Sequence, residues 1–168
     1  MTYDDLNTLI DYNYWARDRV LDAVQALTPE QFTCDMGNSF GSVRDTIAHI
    51  CDAESIWLAR WKGEEPAGFQ KADRMPDVNA AGKEWGEIER GVRAVLEKLG
   101  PEGVEGAIEY KDTRGAAHSE PFSILVQHVV NHGSYHRGQV TTMLRQMGVQ
   151  PPRFMDFIAY YRVKKMGT

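Results

Sequence analysis

The chain has 168 residues, 42% hydrophobic and 26% charged, an ordinary balance for one folded domain with a sizeable core over residues 1–168. Nineteen basic residues stand against twenty-four acidic ones, a net charge of −5 with no Lys/Arg stripe, which argues against nucleic acid as a main partner. No apolar run approaches a membrane span, and the acidic start Met1-Thr2-Tyr3-Asp4-Asp5 is unlike a basic signal peptide, so the expectation is a cytoplasmic protein with no membrane partner.

Thr2 with Asp5 forms an acidic capping box, and Leu6, Leu9, Ile10, Tyr14, Leu21, Val24 and Leu27 give a first amphipathic helix to about residue 27. Thr28-Pro29-Glu30-Gln31 repeats the cap with a proline at the first helical position, and a short extra turn follows. A glycine-rich loop with Gly37, Asn38, Ser39 and Gly41 leads to Ser42-Val43-Arg44-Asp45, which opens a second long helix ending near Trp61 to Gly63. Cys34 and Cys51 form no C-x-x-C pair and read as reduced thiols, Cys51 on an apolar face. On this helix His49 lies beside the main stripe of Val43, Ile47, Ile50, Trp57, Leu58 and Trp61, a rim position by periodicity alone. Glu54 falls in the middle of that stripe, where a carboxylate must be paired, reached by water, or functional as a metal ligand or base.

Gly63, Pro66, Gly68 and Pro76 mark a loop, and a third helix from Asp77 carries Val78, Ala81, Trp85, Ile88, Val92 and Leu96 to a stop at Gly100-Pro101. Ala107 to Tyr110 and Ala116 to His118 around a polar turn predict a small hairpin, with His118 on the surface. Pro121 begins the last long helix, Gly148 ends it, and after Pro151-Pro152 a short tail helix spans Asp156 to Lys165. The fold class is all-α, an antiparallel four-helix bundle with a long crossover and a small hairpin before the last long helix.

The last long helix holds the densest chemistry, Asn131-His132-Gly133-Ser134-Tyr135-His136-Arg137-Gly138-Gln139. Histidines four apart stack on one helical face, and His128 extends the run by one more turn. At about 100° per residue, His136 lies about 40° from the centre of the apolar stripe, His132 about 80° and His128 about 120°. His132 and His136 therefore face the interior, either as hydrogen-bonded core histidines or as ligands of one metal ion. Gly133 and Gly138 each cost a helix roughly 1 kcal/mol against alanine, which predicts close approach to the backbone by a helix, a ligand or a partner.

Other chemistries are missing their parts. The His132 segment lacks the glutamate that a zincin places after its first histidine, and there is no E-x-x-H as in di-iron bundles. No phosphate loop, dinucleotide fingerprint or G-x-S-x-G nucleophile turn occurs. A mononuclear metal site is the enzymatic option that remains.

Asn131-His132-x-x-Tyr135-His136-Arg137-Gly138-Gln139, Ser42 through Ile50 and Trp57-Leu58-Ala59-Arg60 together resemble the DinB family of four-helix metalloproteins. Tyr12-Asn13-Tyr14-Trp15-Ala16, Ser39-Phe40-Gly41-Ser42 and Gly148-Val149-Gln150-Pro151-Pro152 with Asp156 extend the likeness along nearly the whole chain. The resemblance implies a divalent metal bound by one histidine of the second helix and two of the last, here His49, His132 and His136. For His49 the assignment comes from the resemblance, since its periodicity is ambiguous. The wider superfamily includes enzymes using low-molecular-weight thiols such as bacillithiol and mycothiol, which implies a metal-dependent thiol S-transferase acting on a small electrophile. The alternatives are a metal-dependent hydrolase using activated water with Glu54 or Asp45 as base, and a stress-related scaffold stapled by its metal. Zn, Ni, Fe and Cu all suit imidazole ligands. Asn131, Arg137 and Gln139 are expected as supporting or packing residues, and the family likeness implies a homodimer.

Overall fold

The structure is a computed structural model that describes residues 1–166. Its elements are α1 (Tyr3–Val24), α2 (Pro29–Thr33), α3 (Val43–Lys62), a 3-10 turn (Ala72–Arg74), α4 (Val78–Gly103), β1 (Ala107–Lys111), β2 (Ala117–Pro121), α5 (Phe122–Gln146) and α6 (Phe157–Met166). The cap signals act as the sequence predicts: Thr2 with Asp5, and Thr28 with Gln31, form complete capping boxes. Ser42 and Asp77 each accept a bond from the backbone amide three residues on. Two ends shift. Helix α1 stops at Val24 rather than near residue 27. Strand β2 runs through Pro121, so that α5 starts one residue later. At Gly100 the backbone of α4 leaves helical geometry (φ 61°), and a further turn from Pro101 follows the break.

Helices α1, α3, α4 and α5 form the bundle, and pairs of touching residues give their directions. Asp11 meets Arg93 while Gln25 meets Asn79, so α1 and α4 run opposite ways. His49 meets His132 while Trp61 meets Phe122, so α3 opposes α5. Glu54 reaches Trp85 while Leu58 faces Gly91, so α3 and α4 run the same way. Parallel neighbours cannot be joined by a tight turn, which is why residues 63–77 form the long crossover. The hairpin pairs Ala107 with Pro121 and Lys111 with Ala117, antiparallel, and rests against α3 and α5.

The core between the four helices is apolar and tightly buried, with Leu6, Ile47, Trp85, Phe122, Val140 and Leu144 fully enclosed. Cys51 is buried within it and Cys34 is exposed, both as free thiols. Of the two helix glycines expected to allow close approach, only Gly133 does so: a Cβ there would meet Arg137 Nη1 at 2.7 Å and Asn13 Oδ1 at 3.2 Å. Gly138 faces open space, because it lies on the outer side of α5.

Candidate metal centre

Because α3 and α5 pack antiparallel, the first half of α3 faces the middle of α5, and His49 is carried to the His132/His136 pair. One ring nitrogen from each histidine falls within 4.8 Å of the other two. The Nε2 atoms of His49 and His132 stand 3.1 Å apart, and the ring centroids of the three pairs are separated by 4.4 to 5.0 Å. Nitrogens about 2.0–2.1 Å from one ion stand about 3.3 Å apart at the tetrahedral angle and about 2.9 Å apart at a right angle. The His49–His132 spacing lies between these values, and with the third ring nitrogen within 4.8 Å of both, the three residues could hold a single first-row ion.

The protonation of the rings fits as well. Burial, and then the neighbouring His136, holds His49 down to about 4. Burial, with His136 and His49 adding to it, holds His132 also to about 4. Both imidazoles are therefore neutral at pH 7 and offer lone pairs without first losing a proton. His136 is the most enclosed of the three, and its Nδ1 lies 2.8 Å from Gln139 Oε1. Since a carbonyl oxygen can only accept, Nδ1 carries the hydrogen and Nε2 is left free to ligate.

Aromatic rings wall the cluster. Phe40 stacks on His49 at 3.9 Å and Phe69 lies parallel to it at 5.3 Å, while Tyr135 meets the edge of His136. Phe69 comes from the crossover, which is tied down by Asp52 of α3. That carboxylate accepts from the Gln70 amide at 3.1 Å and from Arg74 Nη2 at 2.7 Å. Two clefts open beside the histidines, with Phe69 in the wall of both. One, of about 370 Å³, is bordered by Phe40, Asp45 and His49; the other, of about 270 Å³, by Trp57, Arg60, Tyr110 and His132.

The remaining candidates separate clearly. His128 is outside the cluster; it is exposed on α5, with its ring 5.2 Å from Trp57. Its exclusion agrees with its angle on the helical stripe. Glu54 is turned the other way, into α1 and α4, where its carboxylate accepts from Asn13 Nδ2, Tyr14 Oη and Trp85 Nε1 at 2.9 to 3.2 Å. Burial pushes its pKa up, while the Asn13 and Trp85 bonds and the nearby Arg137 charge oppose that shift. With both oxygens engaged, Glu54 is a structural carboxylate, neither ligand nor free base. Arg137 is buried and bonds Asn13 Oδ1 and Ser134 Oγ, whereas Asn131 is exposed on α5. His118 is near the surface, 3.1 Å from Asp112. Sequence reasoning missed Phe69, Asp52 and Arg74; the placement of Asp52 one turn after His49 was the one local hint.

Three imidazoles presented by two facing helices, with clefts beside them, define a helical-bundle protein with a candidate mononuclear metal centre. The chain belongs to the DinB family, whose sequence profile matches residues 1–165. It is similar to Protein DinB of Bacillus subtilis (strain 168), 27% identical over 146 residues that cover 83% of this chain and 84% of that one. Its fold is similar to the crystal structure of a DinB-like protein from Bacillus cereus ATCC 10987, with a TM-score of 0.68 at 16% identity over 87% of this chain and 95% of the other.

Proposed function

We propose that this chain is a divalent-metal-dependent thiol S-transferase, with His49, His132 and His136 as its metal ligands. The observation that supports it most is the arrangement of three converging imidazoles beside two clefts. A transition ion such as Zn, Ni or Fe held by these three residues would act as a Lewis acid and would favour the thiolate form of a thiol at neutral pH. Gln139 holds the His136 ring in its ligating tautomer, and Asp52 with Arg74 anchors the segment carrying Phe69. Phe40 and Phe69 give the cluster apolar walls that limit water. One cleft then takes the body of a low-molecular-weight thiol and the other a small electrophile. The sulfur forms a bond to the electrophilic carbon, and the leaving group departs with the electron pair while the thiol proton passes to solvent.

Hydrolysis with activated water is the competing chemistry, favoured by Asp45, which borders the same cleft as His49. The reaction is assigned to the cytoplasm, and exposed apolar side chains on α6, Phe157, Ile158 and Tyr161 among them, support assembly as a homodimer.

Elemental mass spectrometry of untagged protein beside a His49/His132/His136 triple alanine variant tests the ligand set. About one equivalent of a transition metal in the parent, lost in the variant, is the expected result. Metal-free protein after reconstitution with Zn, Ni and Fe would refute it. The loaded protein is then assayed on electrophiles with and without thiol. Products formed only with thiol support transfer, products formed without it mean hydrolysis, and a metal that raises the melting temperature without any turnover leaves the scaffold role.

A further inference from the structure

We propose that the cleft beside His132 is a recognition subsite for the carboxylate of a small molecule, with Arg60 as its anchoring cation. That the molecule is a thiol acid rests on the transferase reading; that it is an anion rests on Arg60 alone.

Arg60 occupies the last turn of α3, and its guanidinium carbon sits 4.6 Å from the Trp57 ring and 5.1 Å from the Tyr110 ring. Trp57 is one turn back on the same helix and Tyr110 comes from β1, so two elements hold the planar group in place. Its Nε is buried without an acceptor. Among the described residues its side chain makes no hydrogen bond and no ion pair. The other enclosed arginines are all engaged: Arg17 by Glu89, Arg74 by Asp52, Arg137 by Asn13.

The carboxylate that borders this cleft is already hydrogen-bonded elsewhere, and Glu64, Glu65 and Glu109, which border the neighbouring cleft that Arg60 also lines, form no ion pair with it. That carboxylate is Asp112, whose oxygens take the His118 ring and the amides of Arg114 and Ala116. A held, half-buried guanidinium with no ion pair is therefore left at the wall of a 270 Å³ cleft that His132 also lines. The fork of a guanidinium matches a carboxylate in two parallel hydrogen bonds, and partial burial strengthens both. A cleft of this size admits a short acid and not a large cofactor. Arg60 also complements the negative end of α3, a role that needs no ligand and produces no discrimination among ligands.

Calorimetric titration of the zinc-loaded full chain tests the assignment with three probes: 3-mercaptopropionate, 2-mercaptoethanol and butanoate. The parent is expected to bind 3-mercaptopropionate about tenfold more tightly than 2-mercaptoethanol. R60Q should erase that preference with zinc affinity unchanged, and R60K should restore only part of it, having charge without the fork. Equal binding of the two thiols by the parent, or a preference that survives in R60Q, overturns the subsite. If neither thiol binds, the transferase reading falls separately. The anion subsite then stands only if butanoate binds the parent and is lost in R60Q, and it falls if butanoate does not bind.

Discussion

Glu54 offers the sharpest test of how the bundle is held together, because a structural carboxylate and a catalytic base respond differently to the same two substitutions. Its side chain is 1% exposed and takes three donors, Asn13, Tyr14 and Trp85. Glu54→Ala orphans all three and removes the negative charge nearest to the buried Arg137, which it reaches through Asn13. Each orphaned donor costs about 1–3 kcal/mol, and a buried charge left without its partner about 3–5 kcal/mol. Water entering the space relieves part of this, so the net loss expected is about 4–5 kcal/mol, comparable with the whole stability of a marginal domain. Glu54→Gln keeps the shape, but its amide must face a donor and it carries no charge, which costs about 2 kcal/mol. At a urea slope of about 2 kcal/mol/M the midpoint should fall by about 2 M for the alanine variant and about 1 M for glutamine. Zinc affinity of the folded glutamine variant should match the parent. A loss below about 1 kcal/mol in E54A would refute the network, and E54Q that kept its stability but lost turnover would restore Glu54 as a base.

Gln139→Leu removes the acceptor that fixes the His136 tautomer, and zinc affinity measured by chelator competition should fall about 10- to 100-fold with the melting temperature of the metal-free protein unchanged. His49 and His132 titrate near 4 in the fold and near 6.5 when unfolded, so between those values the unfolded chain binds more protons. Stability of the metal-free protein should therefore fall as pH drops from about 6.5 toward 4. Urea midpoints should show a flatter profile for H49F/H132F, and identical profiles would refute the assignment. Gly133→Ala drives a methyl into the Arg137–Asn13 contact and should cost about 1 kcal/mol net, whereas Gly138→Ala meets nothing and should gain about 0.5–1 kcal/mol. Opposite shifts in melting temperature check both.

What was legible in the sequence follows the range of the forces involved. Capping at Thr2, Thr28, Ser42 and Asp77 depends on side chains three residues away, so it could be read locally. The angular order of His136, His132 and His128 on one helix likewise matches their order of increasing exposure. His49 is different. Its meaning depends on the helix opposite, which periodicity cannot see, and the family resemblance supplied it. Glu54 was visible as an anomaly in an apolar stripe, but its three donors come from α1 and α4, 31 to 41 residues away. Gly138 carried the same signature as Gly133 and a different cause, since the outer face of α5 has no neighbour to admit. The Asp52–Arg74 pair and Phe69 depend on the path of the crossover, which no local pattern encodes.

The same contacts explain how the imidazoles are brought together. Asn13 of α1 donates to Glu54 on α3 through Nδ2 and accepts from Arg137 on α5 through Oδ1. One amide thus joins the two helices that carry the histidines. It cannot be flipped without opposing like groups on both sides. Arg137 is the residue after His136, so fixing its side chain fixes the rotation of α5 and with it the direction of the imidazole. Gly133 leaves the room in which that bond forms, which gives the glycine its place one residue after His132. The centre is therefore positioned by a buried polar network on the opposite side of its own helices. Losing that network should spread the histidines as well as weaken the bundle.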